Sequence, residues 1–478
     1  MKNRLIVRWT MIIVILTTAV SACKDDDNPS PIDPNNPYGA INAWIYDTMD
    51  EVYYWTDQLP AESATNDKLD PSDYFYDELV VSADRFSRIY PDFQDLLNGL
   101  EGINIEAGYD YQPVQSGPTE VVALIKYVKR GSPADDAGLQ RSDIITAVNG
   151  QVITTSNYQQ VLSQVKENHT ITYERFNEVS GQYEPAGDIS LNVEVVPENP
   201  NLLDTVYTMG DKKIAYFFYT FFSPGPEDTD LYDQEMDAIF GSFKDQGVTD
   251  IVVDLRYNLG GAISSATNLA SLIAPNVTSS SVFYENVWND LYQNYIEGLP
   301  NGDDILRGKF IEKAGNIGSQ LNGPKVYFLV GRETASASEL VINGLDPYID
   351  IELIGFQTIG KNVGSIPIED EDNPDNDYGM LPIVLKTFNS QGLSDYDQGF
   401  VPVGENFIDE FDYRWYPVGD IRDPLLKKAI ENITGEVLPS SIAGRVQAWE
   451  AMTPLQFDGP RTERANLPII FDNVKIDR

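Results

Sequence analysis

Cysteine and histidine are nearly absent from this chain: each occurs once in 478 residues. A structural zinc site takes about four Cys or His ligands, so that class is excluded. A lone Cys also rules out any intrachain disulfide. Basic residues are scarce as well, 33 Lys and Arg against 74 Asp and Glu, for a formal net charge of −41. Binding a phosphate backbone needs clustered cations, so nucleic acid is not an expected partner. Anionic membrane surfaces are disfavoured on the same ground. The uncharged run Trp9 to Ala22 has 14 residues, short of the roughly 20 that span a bilayer core. What is present is ordinary for folded protein: 42% hydrophobic and 11% aromatic residues, in a length that suits several domains.

Residues 1–22 place Lys2, Arg4 and Arg8 ahead of that apolar run and end in small residues, the pattern of an export signal. The end, Val20-Ser21-Ala22-Cys23, resembles a bacterial lipobox. That resemblance implies a lipidated Cys23 as the first mature residue, and anchorage to a bacterial membrane through the lipid. Residues 23–37 then read as a solvated tether rich in Pro and Asp. A Lys followed by acids after the Cys is similar to the signal that sends some Gram-negative lipoproteins to the cell surface. The expected location is therefore outside the cytoplasm, on the outer membrane.

Four further segments follow. Residues 38–98 hold Ile41, Trp44, Ile45 and Met49 at helical spacing, so a small helical region is expected, packing as a cap with no chemistry of its own. Residues 99–196 alternate short strands and turns. Within them Ser132 is a plausible N-cap, with Pro133 at the first helical position and Gly138 closing the turn. The stretch GSPADDAGLQRSDIITAVNGQ resembles the core signature of a PDZ domain. The resemblance implies capture of a peptide C-terminus along a sheet edge. The matching carboxylate-binding loop would be Gly102-Ile103-Asn104-Ile105, with Asn104 where the family usually has Gly. Residues 197–436 alternate strands and helices, as in an α/β domain around a central sheet. The tail 437–478 gives no clear pattern. The fold class is thus multi-domain α/β, with a small β-rich domain and an N-terminal helical region.

A catalytic centre has few options. His169 lies in VKENHT beside the PDZ-like segment and is expected to be a solvated loop residue, out of reach of an α/β site. With Cys23 read as acylated, a covalent hydrolase here needs Ser or Thr as nucleophile and Lys or a carboxylate as base. In GRETASASELVINGL, residues 331–345, a strand leads through small residues into a helix beginning near Ala337. A Ser at that junction lies beside the free N–H groups of a helix start, where negative charge is stabilised. An N-cap role is the alternative for such a Ser. Lys361 follows the strand IELIGFQTIG, flanked by Gly and apolar residues. Desolvation there would lower its pKa toward that of a usable base, whereas a surface turn would leave it an ordinary Lys. In Asp254–Gly261, paired Gly residues after a buried strand can point backbone N–H groups at a ligand, or simply turn the chain.

Taken in order, these segments resemble the C-terminal processing peptidases, also called tail-specific proteases. The resemblance runs from about residue 40 to 435. It implies a crotonase-like (ClpP-like) α/β peptidase domain with a Ser/Lys dyad and no cofactor or metal. The family's TASASE-type segment matches Thr334–Glu339 and places the nucleophile on Ser336; the general base falls on Lys361, 25 residues later. Ala337 with Gly260 or Gly261 would form the oxyanion hole. Many members carry Gln four residues after the Lys. Ser365 stands there instead, so Ser365, Asn362 or Gln357 become candidates for orienting the Lys. The implied activity is an exported, lipid-anchored serine endopeptidase acting on protein or peptide tails. Alternatives are a binding lipoprotein that keeps the fold without turnover, and a serine hydrolase of small esters. Oligomeric state is not indicated.

Overall fold

The structure, a computed structural model, describes residues 35–94, 96–97, 103–226, 229–438, 453–456 and 469–470. The signal, Cys23 and most of the tether and tail lie outside the described residues, as does Gly102. No helix among the described residues is long and apolar enough to cross a membrane.

The central sheet of the α/β domain has five strands in the order Asn201–Met209, Lys212–Tyr219, Asp250–Asp254, Lys325–Val330 and Asp350–Gly355. The first pair is antiparallel and the rest are parallel. Side chains alternate between faces, so each strand feeds two cores. Phe217, Val253 and Phe328 point to one core, with the helices Leu231–Gln246, Ile263–Ile273 and Ala337–Leu345. Tyr216, Val252 and Leu329 point to the other, with the helix Pro424–Thr434 and with Leu124, Tyr127 and Ile144 of the PDZ segment. The β-rich unit is thus packed into one face of the central sheet.

The PDZ segment forms an antiparallel sheet of Tyr109–Gln115, Val121–Val128, Ile144–Val148, His169–Asn177 and Gln182–Leu191. Ser132 caps the Pro133–Asp136 turn by accepting from the Asp135 N–H. His169 corrects the expectation of a solvated loop. It opens the His169–Asn177 strand at an inward position, 3% exposed. Its Nε2 lies 2.9 Å from the Tyr109 hydroxyl and its Nδ1 lies 2.7 Å from the Glu167 carbonyl. Burial lowers its pKa. The period-2 pattern of His169, Ile171 and Tyr173 already aligned it with the core.

The N-terminal helix Gly39–Val52 buries Ile45, Met49 and Val52. Ile45 and Met49 share a core with Val363, Met380 and Ile383, so this region is built onto the α/β domain. Two pieces of the tail extend existing sheets. Thr453–Pro454 pairs with Val114 and Gln115, and Ile469–Ile470 pairs with Gly364 and Ser365.

Candidate active site

The strand Lys325–Val330 ends at Gly331, and five residues later the helix Ala337–Leu345 begins with Ser336 as its N-cap. Thr334 holds this connection in place. Its hydroxyl donates to the Leu255 carbonyl at 2.8 Å and accepts from the Gly331 N–H at 2.8 Å. The Ala335 N–H and the Ser338 hydroxyl both donate to the Asn258 carbonyl, each at 3.1 Å. The segment Thr334–Ser338 is therefore stitched to Asp254–Gly261. That segment is itself clasped: the Arg256 guanidinium pairs with Asp254 and with Asp423, each at 2.8 Å.

The two serines differ. Ser338 uses its hydroxyl in that structural bond, whereas the Ser336 Oγ is buried and has no hydrogen-bond partner. Ser336 also has φ +62° and ψ −118°. A non-glycine residue is held there only by its surroundings, at a cost of about 1–3 kcal/mol. An N-cap that spends its side chain on the helix start would sit in the extended region and accept from its own helix. Ser336 lies well outside the extended region.

Lys361 is fully buried in the loop that follows the strand Asp350–Gly355. The strand stops earlier than the apolar run suggests because Gly355 has φ +127° and lies against the Val330 carbonyl, where no side chain fits. Burial pushes the Lys361 amine well below the usual lysine range. The Arg88 and Arg85 cations act in the same direction, while Glu339 and Asp84 oppose it. The Phe86 ring lies 4.9 Å from Nζ. Residues 84–88 thus wall the lysine, where the sequence suggested only a packed cap. The Arg85 guanidinium fixes that wall by donating to the Gly360 and Asp397 carbonyls, both at 2.9 Å.

Glu339 ties Ser336 and Lys361 together. Its Oε2 accepts from the Ser336 N–H at 3.0 Å and from the Lys361 N–H at 2.7 Å. Its Oε1 accepts from the Gly360 N–H at 2.7 Å and the Thr358 hydroxyl at 2.5 Å. One oxygen therefore bridges the backbones of both residues. Burial raises the carboxyl above the ordinary glutamate value, although its four donors pull the other way. The Ser-x-x-Glu spacing of Ser336 and Glu339 is a capping-box pattern readable in the sequence. It was the available signal for this residue.

Among the candidate oxyanion donors, Ala337 opens the helix, so its N–H has no intrahelical acceptor. Gly260 abuts the nucleophile; a Cβ there would fall 2.5 Å from the Ser336 Cβ, and its φ is +103°. Its N–H donates to the Asn258 Oδ1 at 2.9 Å. Gly261 bridges Phe222 in a parallel ladder that leaves its own N–H directed away from that strand. Of the two glycine amides, that of Gly260 is already engaged by Asn258.

Each of the suggested orienting residues has a hydrogen bond of its own. The Asn362 amide donates to the Ser394 carbonyl at 2.8 Å, and the Gln357 amide donates to the Gln398 carbonyl at 2.6 Å. The Ser365 hydroxyl lies 3.5 Å from the Leu381 carbonyl. In the PDZ unit, Ile103, Asn104 and Ile105 form a strand, Ile103–Glu106, paired with Glu194–Pro197 rather than a loop. Ile105 and its register partner Val195 are exposed. Across the domains, Lys126 pairs with Glu333 of the nucleophile segment at 2.6 Å and with Asp110 at 2.8 Å. Among the described residues, no cluster of His, Cys, Asp and Glu is placed to hold a metal ion.

Three family profiles match the chain: the Peptidase S41 N-terminal domain at residues 40–88, a PDZ domain at 124–175 and Peptidase family S41 at 213–382. The carboxy-terminal processing protease CtpA of Bacillus subtilis is 25% identical over 52% of this chain and 45% of its own. A CtpA-like serine protease of Staphylococcus aureus is 26% identical over 49% of this chain and 40% of its own. The chain thus matches less than half the length of these relatives. A crystal structure of an S41 protease from Bacteroides fragilis is 27% identical, with a TM-score of 0.67 over 82% of this chain and 97% of the other.

Proposed function

From the premise that the chain belongs to peptidase family S41, the C-terminal processing peptidases, we propose that it is a serine endopeptidase in which Ser336 attacks a peptide carbonyl and Lys361 takes its proton. The observation that carries this reading is the Glu339 carboxylate, which joins the backbones of an unpartnered, strained serine and a desolvated lysine. In the reaction, the Ser336 Oγ bonds to the carbonyl carbon while its proton passes to the neutral Lys361 amine. The Ala337 and Gly261 N–H groups receive the charge on the carbonyl oxygen. Collapse breaks the C–N bond, and the Lys361 ammonium returns the proton to the leaving amine. Water then repeats the sequence and releases the acid. Ser336 and Lys361 are fully buried, so a polypeptide reaches them only after the covering segments move.

A fluorophosphonate tests the chemistry. We expect stoichiometric labelling of Ser336 in the wild type and none in Ser336→Ala. Absence of label in the wild type, or label on Ser338, overturns the assignment.

The same proposal extends to substrate and location. The PDZ unit presents the exposed Ile105 and Val195 side by side on a two-stranded sheet, and its Lys126 reaches the nucleophile segment. Both features support capture of a polypeptide tail by this unit. Export and lipid anchoring rest on residues 1–37 alone. An alkynyl fatty acid fed to expressing bacteria is expected to label the wild type and not Cys23→Ala; label retained in that variant puts the anchor elsewhere.

A further inference from the structure

Against the helix Ile263–Ile273 lies a cavity of about 520 Å³ that the mechanism does not use. Its walls come from the helix Leu231–Gln246, the helix Ile263–Ile273 and the segment around Arg307–Lys309. It reaches Ser264, three residues beyond Gly261, and Gly260 packs on Ser336. Four residues of chain extend at most about 14 Å. A polypeptide lying across the nucleophile can therefore reach the cavity with a residue a few positions from the scissile bond.

The polar atoms facing this space are unbalanced. Asn268 is 2% exposed and lines the cavity; its amide donates to the Asp233 carbonyl and the Met236 Sδ, and its Oδ1 has no partner. The Asp233 Oδ1 and Asp237 Oδ1, in the same wall, are also buried without partners. All three orphans are acceptors. The cations opposite are already engaged: Lys313 with Asp237 Oδ2 at 2.9 Å, Lys309 with Asp304 at 2.7 Å, and Arg307 with Glu285 at 3.0 Å. Among the described residues, no cation lies within ion-pair distance of Asp233, although the Ser265 hydroxyl and Lys313 both act to lower its carboxyl. Its carboxyl is pushed up to about 7, chiefly by burial. Buried polar atoms left unpaired are costly, so a ligand that supplies hydrogens and positive charge is favoured.

We infer that this cavity is a specificity subsite for a basic side chain of the substrate polypeptide, its ammonium or guanidinium donating to Asp233, Asp237 and Asn268. A cavity of this size accommodates a Lys or Arg side chain and is far larger than a single metal ion needs. The inference rests on the peptidase reading, and two measurements separate the two.

In the first, fluorogenic peptides carry Lys or norleucine at each position within about five residues of the cleaved bond, and are given to the full-length protein. We expect one position at which Lys is preferred by at least about tenfold in kcat/KM. In Asp233→Asn that preference should fall below about twofold, with cleavage of the norleucine peptide unchanged. Cleavage with no positional preference, or a preference that survives Asp233→Asn, overturns the subsite and leaves the peptidase standing. In the second, N-acetyl-lysine methylamide is titrated into wild type and Asp233→Asn by calorimetry, with calcium chloride as the control. Amine binding that is lost in the variant supports the subsite even if no peptide is cleaved. No amine binding, or a stronger response to calcium, overturns it. If Asp233→Asn fails to fold, Asn268→Ser is used in both.

Discussion

Lys361→Met is expected to abolish peptide-bond cleavage while raising the unfolding temperature. The activity loss follows from removing the proton acceptor. A general base contributes about 10²–10⁴ in rate, and groups that act as a unit fail together. Ser336→Ala and Lys361→Met should therefore each lower kcat/KM by more than about 10³-fold, and the double variant should fall little further. The stability gain has a separate origin. The Lys361 ammonium is held out of water, so its folded pKa lies well below its unfolded value. Between those two values the unfolded chain binds a proton that the folded chain does not, and wild-type stability rises with pH by about 1.4 kcal/mol per unit. Met has no such dependence. Its advantage over Lys should thus be greatest at low pH and shrink as pH climbs toward the unfolded lysine value. Melting curves of both proteins from pH 6 to 10 check this. A gap that stays constant or widens with pH means the amine is solvated, and it could not then serve as the neutral base. Enzyme activity should rise with pH through the same depressed pKa.

The order of strands and helices in the α/β domain was readable because its strands are apolar runs that serve two cores. Phe217 and Phe218 face opposite ways, and nothing but a sheet covered on both sides explains their adjacency. Ser336 and Lys361 could be nominated from their local context, small residues at a helix start and a lysine among glycines. What surrounds the lysine could not. Asp84, Arg85, Phe86 and Arg88 meet Lys361 across some 275 positions of sequence, and no local periodicity records a contact of that range. The bonds made by the suggested orienting side chains were hidden for a related reason. Asn362 and Gln357 lie near Lys361 in sequence, and their amides donate to residues 394 and 398. His169 was misread because a charged and polar flank, VKENHT, suggested a loop, while the inward alternation begins at the histidine itself.

Glu339 was within reach of a sequence argument, and the second large effect belongs to it. Glu339→Ala is expected to cut activity by at least about 10²-fold and to destabilise the fold by several kcal/mol. The alanine leaves three backbone N–H groups and the Thr358 hydroxyl without an acceptor in a dry interior. Each unpaired group costs about 1–3 kcal/mol, to which a cavity is added. The strained Ser336 backbone then relaxes, since the bond that opposes its relaxation is gone. Glu339→Gln separates this clamp from mere filling of space. Its single carbonyl oxygen can replace Oε2 and keep both the Ser336 and Lys361 N–H groups. Its NH₂ then turns to the Thr358 hydroxyl, which can accept, and to the Gly360 N–H, which cannot. One bond of four is lost while both reactive residues stay bridged. Activity and melting temperature should therefore rank wild type, Gln, Ala, with the Gln variant still labelled by the fluorophosphonate. A Gln variant as inactive as Ala but nearly as stable as wild type would show that the negative charge, rather than the bridge between the two backbones, is what the reaction requires.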